Sequence, residues 1–197
     1  MSNSDHKLPF ALRGDLAGEM GFHEPARCLR KDGTPYVTRV LEVEAPIHLD
    51  ELVLRIRSGW GYERAGNRIH DLVAKAMRLT IGRTPFKIEE GFIVNSGKPA
   101  IPRKRDESHP PSLRKPEYIA PQEVRVAILV VIERHLGAQK DELASAVARL
   151  FGFKATSQQI RALIDAQIKR LLKAGILKEA DGVLRRAATA NPDTQLS

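Results

Sequence analysis

Two stretches decide the fold: PIHLDELVLRIRSGWG at residues 46–61 and GAQKDELASAVARLFG at residues 137–152. They align at a constant offset of 91 residues, without a gap. Asp50-Glu51-Leu52 falls on Asp141-Glu142-Leu143, and Trp60-Gly61-Tyr62 falls on Phe151-Gly152-Phe153. Further along, Ile69 and Leu72 match Ile160 and Leu163, and Lys87 and Gly91 match Lys178 and Gly182. An offset held through several elements marks two copies of one module with one shared fold.

Each copy carries the same order of elements. A first helix is expected from Pro35 to about Glu44 in copy one and from Pro121 to about His135 in copy two, where proline suits a first turn. A short extended link follows, Pro46 to His48 or Gly137 to Gln139. The second helix shows an apolar stripe, Leu49, Leu52, Val53, Ile56 and Trp60, or Leu143, Ala144, Val147 and Phe151. Its acidic pair lies at the positive end of the helix dipole. Gly61 and Gly152 stand where a left-handed C-cap needs glycine. The third helix buries Ile69, Leu72, Val73, Ala76 and Met77, or Ile160, Leu163, Ile164, Ile168 and Leu171. Thr156 to Gln159 reads as a capping box, with Ser157 the alternative cap. A β-hairpin closes each copy, around Glu90-Gly91 or Asp181-Gly182. Helix, short strand, helix, turn, helix, hairpin is the winged helix-turn-helix order. The expected fold class is therefore mainly α with small β-hairpins, as two such modules in tandem.

Around the modules, residues 1–34 have mixed charge and little periodicity and are expected to be loose or partly packed. Module one spans 35–94 and module two spans 119–186. Residues 95–118 hold Pro99, Pro102, Pro110, Pro111 and Pro116, which resist helix and sheet, so an extended basic linker is expected there. Residues 187–197 read as a flexible tail.

Composition narrows the function. The chain has 197 residues, a formal net charge of +8, 42% apolar residues and one cysteine, Cys28. A lone cysteine excludes a disulfide framework and a cysteine zinc site, and the cytoplasm is the expected compartment. The longest apolar run, Val126 to Ile132, is far short of the roughly 20 residues a membrane span needs. The charge is uneven. Residues 1–34 carry five basic and five acidic groups, and residues 35–94 carry nine and eight. Residues 95–118 carry six and three, and residues 119–197 carry twelve and eight. The excess therefore sits in the linker and in module two.

Excess cation on a winged-helix pattern points to phosphate neutralisation, with the third helix in the major groove. In copy one the candidate nucleic-acid contacts are Arg64, Asn67, Arg68, Lys75 and Arg78, with Arg83 and Lys87 from the wing. The linker adds Arg103, Lys104 and Arg105. Copy two offers Lys154, Gln158, Gln159, Lys169, Arg170 and, in its wing, Lys178. Asn and Gln can read adenine edges, and Arg can read guanine. Asp71 and Asp165 beside these faces count against contact, and a solvated helix surface is the plain alternative.

Catalytic patterns in the sequence are weak. The six histidines form no H-E-x-x-H, and His48, ahead of Asp50-Glu51, suits capping or packing better than metal binding. Ser96-Gly97-Lys98 lacks the upstream glycine of a phosphate loop, and no G-x-S-x-G elbow occurs. No cofactor, metal or enzymatic role is expected.

Several blocks also resemble a known family. Glu44, Pro46, Ile47, His48, Asp50, Glu51 and Leu52 match an E-x-P-[IV]-H-x-[DE]-E-L start, and Arg64, Ala65, Gly66, Arg68 and Ile69 match an R-A-G-x-R-I segment. Pro102 to Asp106, then Ile119, Pro121 and Glu123, then Ala148 to Lys154, continue the match over about residues 35–186. The pattern resembles the C-terminal domain of unknown function in large bacterial helicase-related proteins, which join a superfamily-one helicase to a restriction-like nuclease domain. The resemblance implies association with DNA-processing or defence enzymes. This chain has no Walker motif, so the implied role is a free-standing accessory. Its expected partners are duplex DNA, a helicase or nuclease protein and a second copy of itself in a homodimer. The competing expectation is a protein-interaction scaffold using the winged-helix faces or the apolar helix 124–132.

Overall fold

Short paired strands tie each helical layer to a hairpin, and they recur at the spacing of the sequence repeat. A computed structural model describes residues 34–59, 67–107 and 111–187. The chain divides into two compact units, with the boundary between Lys98 and Pro99. Among the described residues, the first unit holds α1 (Thr34–Glu44), β1 (Ile47–His48), α2 (Leu49–Gly59), α3 (Asn67–Ile81), β2 (Phe86–Glu89) and β3 (Phe92–Asn95). The second holds α4 (Pro121–His135), β4 (Ala138–Gln139), α5 (Lys140–Leu150), α6 (Gln158–Lys173), β5 (Leu177–Ala180) and β6 (Val183–Arg186). The protein is mainly helical with two small antiparallel sheets, ordered β1-β3-β2 and β4-β6-β5.

The repeat survives in the register. Ile47 pairs with Ile93 and His48 with Phe92, while Ala138 pairs with Leu184 and Gln139 with Val183. Each residue of the second set lies 91 after its counterpart (138 − 47, 184 − 93). Both hairpins turn through two residues of positive φ, Glu90 (50°) and Gly91 (84°), then Asp181 (54°) and Gly182 (74°). That backbone matches the twist of the flanking strands.

The apolar stripes fill two separate cores. In the first unit Val37, Val40 and Leu41 of α1 meet Leu52, Val53 and Ile56 of α2, Val73, Ala76 and Met77 of α3, and Phe86 and Ile93 of the sheet. The expected contributors Leu49, Ile69 and Leu72 are partly buried at its edge, and Trp60 lies outside the described residues. A buried ion pair crosses this unit, Arg55 Nε to Glu44 Oε2 at 2.8 Å, linking α2 to the end of α1. Burial pushes the Tyr36 phenol above its usual pKa, and the Glu44 carboxylate adds to that.

In the second unit α4 is central. Val124, Ala127, Ile128, Leu129, Val131 and Ile132 are buried against Leu143, Val147, Phe151, Ile160, Ile164, Ile168 and Leu171. A helix apolar on most sides is one surrounded by its own domain. Most side chains of helix 124–132 are thus taken up by the core, and Val126 and Val130 stay partly exposed. Ser157 caps α6, its hydroxyl accepting from the Ile160 N–H at 3.3 Å, so the serine rather than the threonine holds that end.

The largest departure from expectation concerns residues 95–118. They are not a free linker throughout: Leu113 and Tyr118 are buried, and two 3-10 turns, Pro111–Leu113 and Pro116–Tyr118, lead into α4. Arg105 is 3% exposed. Its Nη2 donates to the Glu123 carboxylate at 3.0 Å and to the Tyr118 carbonyl at 2.7 Å, and its Nη1 donates to the Arg103 carbonyl at 3.0 Å. Arg103 also donates to Glu123, through its backbone N–H at 2.9 Å and its Nε at 3.4 Å. Glu123 lies three residues after the α4 N-cap, and its Oε2 accepts from the Ala120 N–H at 3.1 Å. One buried carboxylate therefore caps a helix and neutralises two guanidinium groups. The Arg105 N–H donates to the Phe151 carbonyl at 2.8 Å, drawing this strap across the end of α5.

Candidate nucleic-acid interface

The outer face of α3 is built by what its inner face must do. With Val73, Ala76 and Met77 inward, helical spacing turns Asn67, Arg68, Asp71, Lys75 and Arg78 outward, and all five are exposed. Arg83 is exposed just past the helix, and Lys87 is exposed on β2 with its ammonium 3.7 Å from Glu89. Arg64 lies outside the described residues. The set is broken by Asp71, and the hairpin tip carries Glu89 and Glu90.

The equivalent face of α6 is sorted by charge. Gln158, Gln159, Ala162 and Ala166 are exposed along its first half, and Lys169, Arg170 and Lys173 along its end. Three cations in the closing turns also sit well with the negative end of the helix dipole. Lys178 is exposed on the neighbouring strand β5, while Glu179 and Asp181 stand nearer the tip. Lys173 was not among the sequence candidates. Its position four residues after Lys169 puts it on the same face and was the available signal.

The three linker cations part company. Lys104 is exposed and paired with Asp106 at 2.9 Å. Arg103 is largely covered on Glu123, with 19% of its side chain exposed, and Arg105 is sealed in. Arg105 is therefore withdrawn from the nucleic-acid candidates, and Arg103 presents little of its charge. Turning Arg105 outward would take from the fully buried Glu123 carboxylate one of its two guanidinium partners, so the Arg105 charge is held inside.

Lys154, in the turn before α6, is exposed and donates to Glu107 Oε1 at 2.5 Å. That hydrogen bond, and then the lysine charge, hold the Glu107 carboxyl below its usual pKa. The same turn shapes a concave surface of about 550 Å³ lined by Lys104, Asp106, Glu107, Arg149, Phe153 and Lys154. Arg149 is exposed at the end of α5 and was missed in sequence, because its neighbours there come from a segment more than forty residues upstream.

His48 settles on the capping role. Its Nδ1 accepts from the Asp50 N–H at 3.2 Å, and its ring meets the Phe92 ring edge-on at 5.5 Å. Among the described residues no helix is long and apolar enough to cross a membrane.

A family model described as "Protein of unknown function (DUF3320)" matches residues 34–71, which cover α1, β1, α2 and the first turn of α3. This is consistent with a domain of unknown function within the first unit. No curated protein and no solved structure matches the chain.

Proposed function

We propose that both units are winged helix-turn-helix modules and that the chain is a non-enzymatic DNA-binding accessory module. The observation that carries this reading is the outer face of α6. The fully exposed positions of its opening half are uncharged, with Gln158 and Gln159 able to pair with adenine edges and Ala162 able to meet a thymine methyl, while Arg161 is tied to Asp141 at 2.7 Å and Asp165 is half-buried beside the face. Its closing half presents Lys169, Arg170 and Lys173 for phosphates on the groove wall. A helix of this kind entering the major groove reads with one end and is held by the other. Work beside a helicase or nuclease is the partner role that the family resemblance supports.

A titration of labelled duplex DNA at several salt concentrations tests it. Affinity is expected to fall as salt rises, with a slope of about 0.9 per phosphate neutralised. Replacing Lys169, Arg170 and Lys173 by Gln is expected to flatten that slope by up to about 3. Absence of binding at low salt, or a slope untouched by the triple change, rejects the reading.

The first unit favours a second role. Leu79 and Ile88 are 46% and 59% exposed, and around them Lys75, Arg78 and Lys87 are interspersed with Asp71, Glu89 and Glu90. An apolar surface flanked by charges of both signs suits a protein partner better than a polyanion. Under this reading unit one docks protein while unit two holds DNA.

A further inference from the structure

We propose that Lys104, Arg149 and Lys154 form a phosphate-binding site at the turn between α5 and α6, held closed by the carboxylates of Asp106 and Glu107. The strap makes it possible. Arg105 points inward to Glu123, so its extended neighbours Lys104 and Asp106 point out, on the side of the turn. The backbone there is fixed from both sides. The Arg105 N–H is bonded to the Phe151 carbonyl, and a Cβ on Gly152, where φ is +89°, would come within 3.0 Å of the Asp106 nitrogen. Three cations from two distant segments thus converge on one preformed concavity, beside the half-buried Phe153 ring.

The repeat does not carry this charge in both copies. At the matching positions of the first copy, 91 residues earlier, Arg149 is replaced by Ser58 and Lys154 by Glu63. Cations that one copy lacks are not part of the shared pattern, and their gathering in one unit fits a ligand. Three cations suit a phosphate group, and the two carboxylates occupy the place a phosphate would take: Asp106 on Lys104 and Glu107 on Lys154. Both pairs are at the surface and weak, so a multiply charged anion can displace them. The proposal rests on the DNA reading only for the source of the phosphate, which could equally be a free phosphate ligand.

The test uses the full chain, titrated separately with inorganic pyrophosphate and with a short labelled duplex, its fold checked by circular dichroism. Arg149→Ser with Lys154→Glu gives this turn the residues of copy one. It is expected to weaken whichever ligand binds here at least tenfold at low salt. For duplex, it is expected to flatten the salt slope by about 0.9, one phosphate's worth. A charge-matched change elsewhere in the unit, Arg134→Ser with Lys140→Glu, is expected to do less than half as much. Glu107→Gln, which leaves the strap's buried anchors intact, is expected to strengthen binding by up to about fivefold. A folded double variant that binds as the wild type does, a control that weakens binding equally, or Glu107→Gln without a gain overturns the site. If duplex binding responds to Lys169, Arg170 and Lys173 but not to this turn, the site fails and the DNA reading stands. If pyrophosphate binds through this turn and duplex does not bind at all, the site stands with a free phosphate ligand and the DNA reading fails.

Discussion

The two units share helix order, strand register and turn geometry, yet they are closed in different ways. In the first, the closing polar contact is internal: Glu44 at the end of α1 meets Arg55 on α2, with 3% and 10% of their side chains exposed. In the second, the seal comes from upstream of the repeat, where Arg103 and Arg105 converge on Glu123, which is fully buried. The apolar stripes and the turn residues fix the common scaffold, because only one face of each helix and one register of each strand bury them. Charged groups obey no such period and have diverged. They hold different parts of the chain in the two units and leave different surfaces: one interrupted by the exposed Asp71, the other running from glutamines to cations with Asp165 half-buried beside it.

The sharpest way to break this comparison is Glu123→Ala. It strips the partner from a buried guanidinium and is expected to cost about 3–5 kcal/mol. Hydrogen exchange followed by mass spectrometry should show the lost protection within residues 99–187; a uniform loss over both units, or none, refutes the separate seal. Glu44→Ala is expected to cost less, about 1–3 kcal/mol, because Arg55 lies nearer solvent and can hydrate. A larger loss than for Glu123→Ala in denaturant melts would invert the ranking.

Glycines probe the same contrast on a finer scale. Gly152, Gly91 and Gly182 all have positive φ, but a Cβ at Gly152 meets the strap backbone, whereas one at Gly91 or Gly182 meets nothing within 4 Å. Gly152→Ala is expected to cost about 1–3 kcal/mol or more, and the two hairpin substitutions about 1 kcal/mol each. Equal costs at all three positions would mean that the strap yields freely. The smallest effect concerns pH. The Tyr36 phenol holds its proton more tightly folded than unfolded, so its share of stability is complete below about pH 10 and falls as pH rises through the folded pKa. Tyr36→Phe should remove that share of the alkaline decline. An unchanged alkaline profile in thermal melts would show that the phenol does not contribute.

Much of the scaffold was legible in the sequence. The offset located both hairpins and the short strands, and a first-turn proline marked the start of α4 at Pro121, since periodicity and turn chemistry are local signals. The strap was not legible. Arg103-Lys104-Arg105 looks like a solvated basic run, arginine is seldom buried, and the carboxylate that receives it lies 18 residues away from Arg105. The surface candidates fared better where they stood on helices: once the buried stripe is known, the outward positions follow. Off the helices nothing in the sequence separates Lys104, which is exposed, from Arg105, which is not.

The strap also determines where the polypeptide can be severed. A truncation beginning at Ile119, where the repeat itself begins, would discard both guanidinium groups and strand the Glu123 carboxylate in a dry interior. A cut between Lys98 and Pro99 keeps the whole clamp in one piece. The unit of inheritance written in the repeat is therefore shorter than the unit that can stand alone.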